Sequence, residues 1–384
     1  MGESLCEFES HLGHFKSQAS KKCLRLFAFY SNSDYCMTGN SRVAYLDTGK
    51  GIAMFLIVLL HLVPGLYSVL SYLSLYSVCY FFMVSGMLYK EYGSPRAFVL
   101  RKVNTLAVPF VGWYCIGYLV HLVGSIVAGI ELEPDFGIFK IFHTNEIFNL
   151  PAWFILSLFW CQLLFYAVRR ILRNAFAVAL GVLVLASAGI AMSRYGVNNF
   201  LYIGSSLSCL PFFFLGRLLA SYGFSPGVSP SRRVAIAGLA VAVGAFVLMA
   251  CLFDAAPDFS CYRNELSAGA MWQYYLCAIA FIVALLSFCC LVGRLPLFTW
   301  LGRNSLVALV AHLQPSVVVS LLLASVFVGA DEVFVIPFLT FAVVMALMPL
   351  IVALSKRFLP RISGYRDLIS PEKIEYFTKY LRVN

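Results

Sequence analysis

Asp47, Lys50 and His61 are predicted to lie on one face of the first apolar helix. Lys50 and His61 are eleven residues apart, and most of the residues between them are apolar. Eleven residues turn a helix through about 1,100°, so the two side chains share a face and stand about 16 Å apart along the axis. That is half of a hydrocarbon core roughly 30 Å thick. The spacing therefore predicts a cation at the membrane edge and an imidazole near the midplane. An ionisable group at that depth is by default a candidate for function. Imidazole titrates near neutral pH, which suits a general base or a nucleophile that carries an acyl group. The sequence leaves both roles open. Asp47 is too far along the axis to touch His61 and reads as a partner of Lys50. Without catalysis, Asp47 would be a helix cap and Lys50 a snorkelling side chain. His312, about 13 Å into the ninth predicted span, is a second mid-depth candidate. His121 reads as interfacial.

The elements that must position these groups are membrane spans. The 384 residues are 61% hydrophobic and only 12% charged, with a mean hydropathy of +0.85; a soluble chain averages about 25% charged. Apolar runs predict an all-α, polytopic integral membrane protein with about ten spans. They cover 49–66, 72–89, 106–128, 150–168, 175–192, 203–220, 234–253, 270–292, 306–328 and 333–354. With the N-terminus inside, all but Lys140, Arg194 and Arg263 of the 28 lysines and arginines fall on the inner side. This places both termini in the cytoplasm of a cell-membrane protein. The net charge of +10 is then a topology signal and an attraction to the lipid bilayer, not a nucleic-acid surface.

Residues 1–41 read as a cytoplasmic extension, expected to be disordered, with Met37 as an alternative start. Residues 42–355 form the membrane domain. Residues 356–384 form a basic tail, expected to rest on the inner membrane surface. The largest outer loop carries Glu131, Glu133, Asp135 and Glu146, as a solvated loop or an acceptor-facing lid. The twelve cysteines read mostly as packing residues, with Cys251 and Cys261 as the pair that could be bridged. No Cys-x-x-Cys occurs, so no metal site is supported.

Further candidates follow the spans. Ser85-Gly86 permits close helix approach and supplies a hydroxyl. The inner loop after it holds Lys90, Arg96, Arg101 and Lys102, then Pro109. These cations set topology or hold the phosphates of a soluble cofactor. Trp153 opens the fourth span at the predicted outer interface, where aromatic belts are common.

Taken in order, these elements resemble the acyltransferase-3 family of bacterial membrane acyltransferases, especially its glycan O-acetylase branch. The order runs from Asp47, Lys50-Gly51 and His61 to Phe81-Phe82-x-x-Ser85-Gly86, then the basic loop ending in Pro109. Trp153-Phe154-x-x-Ser157-Leu158-Phe159 follows, then Pro211-Phe212-Phe213-x-x-Gly216. Leu301-Gly302-x-Asn304-Ser305-Leu306 before His312 completes it. The resemblance implies transfer of an acyl group, usually acetyl, from cytoplasmic acyl-CoA to a carbohydrate hydroxyl. It gives His61 the catalytic place and Lys50 the paired basic place. On that reading Arg101 and Lys102 neutralise CoA phosphates, with Arg96 and Ser85 in the same group, and Trp153 faces the acceptor. The sequence departs from the family at Thr105, where a second arginine is common, and at Ser77, where the branch often has histidine. The alternative is a transporter or flippase for a glycolipid or small metabolite. Against it, no inverted repeat and no helices broken in matching halves are visible.

Overall fold

In the computed structural model, residues 43–370 are described apart from 92–93, 130–136, 143–146, 223–229, 253–258, 267–270, 328, 330 and 332. The predicted extension 1–41, the acidic loop residues Glu131, Glu133, Asp135 and Glu146, and the end of the basic tail lie outside the described residues.

The fold is all-α. Helix α1 spans Ala44–Leu62 and α2 spans Tyr67–Met87. A continuous apolar rod follows, made of α3 (Pro95–Lys102), a π-helical turn (Val103–Ala107) and α4 (Val108–Ala128). Next come α5 (Trp153–Ile171), α6 (Ala175–Arg194), α7 (Ile203–Ser221), α8 (Arg232–Leu252) and α9 (Met271–Val292). The chain closes with α10 (Pro296–Arg303), α11 (Ser305–Ala311), α12 (Leu313–Val326) and α13 (Val335–Phe358). A two-residue hairpin, Phe259–Ser260 with Glu265–Leu266, sits before α9.

Among the described residues, eight helices can cross a membrane by length and composition, and α11 with α12 adds a ninth crossing as a pair bent by 50°. The remaining predicted span is α2, whose Tyr76–Met87 part counts as a shorter apolar helix. The helix ends follow local chemistry. Ser94 caps α3 by accepting from the Ala97 amide at 3.1 Å, with Pro95 in the first turn. Asn174 caps α6 through Phe176 at 2.8 Å. Proline lacks an N–H, so Pro109 would orphan the Thr105 carbonyl, and the π turn at 103–107 absorbs that defect. Here the rod begins at Pro95, not Leu106 as predicted, because α3 continues into the span without a break.

Helix α1 is central. It packs against α2, α9, α10, α11, α12 and α13. Two thirds of it (67%) is buried within the bundle, against 11% of the peripheral α8. Pro64 ends α1 at Leu62, since the residue before a proline leaves the helical region. His61 therefore occupies the last turn of the helix, about 25 Å from Ala44, and not the middle of a span ending at Leu66.

Residues 359–370, the described part of the tail, fold back on the bundle end. There Asn104 Nδ2 donates to the Ile369 carbonyl (2.8 Å), and its Oδ1 accepts from Leu368 and Ile369 amides. Ile362 wedges against Gly112, where no side chain would fit. Cys251 and Cys261 are both free, the first exposed and the second buried. The α11–α12 span is a broken helix, bent by 50°.

Candidate functional site

Two polar clusters lie along α1, and both face the α10–α12 segment. The first is built on Asp47. Its side chain is almost wholly buried and touches two cations. Lys50 Nζ lies 2.7 Å from Oδ1 and Arg303 Nε donates to Oδ2 at 3.2 Å. The crossing of α1 and α10 makes this possible. A side chain at Gly51 would strike the Phe298 carbonyl, and one at Gly302 would strike the Asp47 carbonyl. Only glycines allow the backbones to meet there. Thr48 fixes the register, donating to the Gly293 carbonyl at 2.9 Å and pairing with the Thr299 hydroxyl at 2.9 Å. Two cations share one carboxylate, so the cluster keeps a net positive charge. Arg303 remains 36% exposed in its side chain, enough to meet an anion from outside.

The second cluster is the histidine pair. His61 Nδ1 is 2.9 Å from His312 Nε2, with the ring planes 13° apart. His312 is fully buried, while His61 is partly exposed. His312 Nδ1 lies 2.9 Å from the Ala308 carbonyl. A carbonyl only accepts, so Nδ1 of His312 carries its proton. With both rings neutral, His312 Nε2 is then an acceptor and His61 Nδ1 the donor. The chain of bonds leaves the lone pair of His61 on Nε2. This second-partner orientation of an imidazole is the arrangement that prepares a general base.

The other sequence candidates fall elsewhere. Arg101 is half exposed, with Nη1 3.8 Å from Asp367 of the folded-back tail. Tyr365 of that tail reaches Asn304 at 3.2 Å, next to Arg303, so Arg101 belongs to the same end of the bundle as Asp47. Lys102 is buried, its ammonium 5.2 Å from the Phe98 ring. Arg96 is exposed. Thr105 donates to the Arg101 carbonyl within its own helix at 2.8 Å and offers no cation. Ser85 is partly buried, and its neighbour Gly86 lets α2 approach the Phe213 carbonyl of α7. Trp153 is buried at the start of α5, its ring 6.1 Å from both Tyr202 and Tyr262. His121 is exposed near Phe148. Among the described residues no group of three or more His, Cys, Asp or Glu side chains converges on a metal position.

Sequence reasoning did not assign Arg303 to the Asp47 cluster. The two residues are 256 positions apart, and the only local signal is the glycine that precedes Arg303.

A family model described as an acyltransferase domain matches residues 43–356. No curated protein and no solved structure matches the chain.

Proposed function

The chain belongs to the acyltransferase-3 family, and from that premise we infer that it moves an acyl group, most simply acetyl, from cytoplasmic acyl-CoA to a hydroxyl of a cell-surface or lipid-linked carbohydrate. The observation that supports this best is the histidine pair, which leaves a lone pair on His61 Nε2. In the reaction the acceptor hydroxyl attacks the thioester carbonyl. The new C–O bond forms, the C–S bond breaks, and the hydroxyl proton passes to His61 Nε2. The coenzyme A thiolate leaves and takes that proton back. His312 holds the His61 ring in register and accepts from its Nδ1 as charge develops.

The cation cluster serves the donor. Lys50, joined to Arg303 through Asp47, lies about 16 Å along α1 from His61. The flexible arm of coenzyme A is suited to bridge that separation, with its phosphates at the cations and its thioester at the imidazole. Arg101 and Arg96 supply further charge at that end. Charge on phosphates favours arginine forks over point charges. Asp47 neutralises part of the cluster, which keeps two neighbouring cations from repelling each other before the donor binds. In this reading the protein sits in the cell membrane with both termini cytoplasmic, as its charge asymmetry supports.

The test is acyl transfer by purified protein with radiolabelled acetyl-CoA, together with mass spectrometry of surface glycans from a deletion strain. Loss of one acyl modification in the deletion strain, restored by the wild-type chain and not by His61→Ala, is the expected result. An unchanged glycan profile together with no saturable acetyl-CoA binding overturns the reading.

A further inference from the structure

The bend that carries His312 has a specific cause and a specific tether. Pro315 has no N–H and crowds the carbonyl four residues back, at Ala311. Regular helix stops at Ala311 and resumes at Leu313, and the axis turns by 50°. The last carbonyls of α11 therefore need partners outside their own helix. Ala308 meets the His312 ring. Val310, two residues before His312, accepts from Asn149 Nδ2 at 2.8 Å.

Asn149 reaches this carbonyl from far away in the chain. It is 1% exposed and directly precedes the 3-10 turn, Leu150–Ala152, that leads into α5. The same Nδ2 group also lies 3.4 Å from the Trp113 carbonyl of α4. Gly117, one turn further along α4, has no side chain to keep that helix away from Asn149. One amide thus ties α4, the entry to α5 and the last turn of α11 together. The amide nitrogen stands within donating distance of two backbone carbonyls, a role an ionised aspartate cannot fill.

We propose that Asn149 is a positioning residue of the histidine pair. By holding the Val310 carbonyl, it fixes the bent helix where Nε2 of His312 meets Nδ1 of His61. The proposal rests on the catalytic reading of His61 given above. It makes two variants equivalent. Asn149→Asp keeps the side-chain shape but sets a carboxylate against two carbonyls. Pro315→Ala restores an N–H, allows the helix to straighten, and draws Val310 away while Asn149 is intact.

The test uses the full chain in detergent and labels histidines with diethyl pyrocarbonate, which attacks an accessible, unprotonated imidazole nitrogen. Labelled peptides are read by mass spectrometry. In the wild type His61 is labelled and the buried His312 is silent, with exposed His121 as the internal reference. In Asn149→Asp and in Pro315→Ala, His312 becomes labelled and kcat falls by about a hundredfold, the scale of an ångström of misplacement. The KM for acetyl-CoA is unchanged. Silent His312 in a folded variant overturns the proposal, whether kcat falls or not, and so does labelled His312 with wild-type kcat. If Asn149→Asp does not fold, Pro315→Ala decides on the same readings. Failure of the catalytic reading looks different: His61→Ala then keeps its activity while Asn149→Asp still exposes His312.

Discussion

Nδ1 of His61 and Nε2 of His312 stand 2.9 Å apart, although 251 positions separate them in the chain. The contact joins the end of the first span to the break in the ninth. It gives the partly exposed ring a fixed orientation and a proton partner, which an isolated membrane histidine lacks.

Asp47→Asn tests the cation cluster. The change leaves Lys50 and Arg303 facing each other without a counter-ion. A hydrogen bond to a charged group contributes about 1.5–3 kcal/mol, and the Arg303 arm counts for less because it is partly exposed. Thermal unfolding in detergent should show a loss of about 2 kcal/mol for Asp47→Asn and a smaller loss for Arg303→Gln. Equal losses would show that the Lys50 contact adds nothing.

Gly302→Ala tests the crossing that places Arg303. A methyl group there collides with the Asp47 carbonyl, and two backbones must move apart. Overpacking of this kind costs about 1–3 kcal/mol. The variant should melt earlier and bind acetyl-CoA more weakly, because Arg303 loses its reach to Asp47. Wild-type stability would mean that the crossing opens freely.

Arg101→Gln tests the donor end in isolation from the histidines. If Arg101 contacts a phosphate of coenzyme A, titration with acetyl-CoA should show about tenfold weaker binding, the equivalent of 1.4 kcal/mol. The wild-type affinity should fall with added salt. An unchanged affinity moves the phosphate contact to Lys50, Arg303 or Arg96.

Asn104→Ala tests the folded-back tail. Three hydrogen bonds from one side chain hold residues 368 and 369. Hydrogen exchange across 359–370 should accelerate in the variant, while exchange in α1 stays as it is. Unchanged exchange in the tail would assign its hold to Ile362 and Tyr365.

Much of this was legible in the sequence, for identifiable reasons. The eleven-residue spacing of Lys50 and His61 survives because α1 is unbroken between them, so helical periodicity alone carries both residues to one face. The Asp47–Lys50 pair is local, at i and i+3, and needs no tertiary knowledge. The apolar runs give the order of the spans because the lipid-facing surface must be apolar at every turn. What was not legible depends on partners far along the chain. Nothing near Asp47 indicates Arg303, and nothing near Asn149 indicates Val310. The end of α1 was placed four residues too late because apolar content continues through Val63 and Leu66, while the helix responds to Pro64. Nor does anything near Trp153 indicate its ring contacts with Tyr202 and Tyr262.

The central claim is that His61 and His312 act as one unit in acyl transfer. It is tested most directly by the turnover of purified His61→Ala, His312→Ala and the double variant with acetyl-CoA and an acceptor glycan. A positioned general base contributes about 10²–10⁴-fold, so His61→Ala should lose at least about a hundredfold in kcat. His312→Ala should lose less, and the double variant should be no slower than His61→Ala, since residues that act as a unit are not additive. Wild-type turnover in folded His61→Ala, or strictly multiplicative losses in the double variant, would contradict the account.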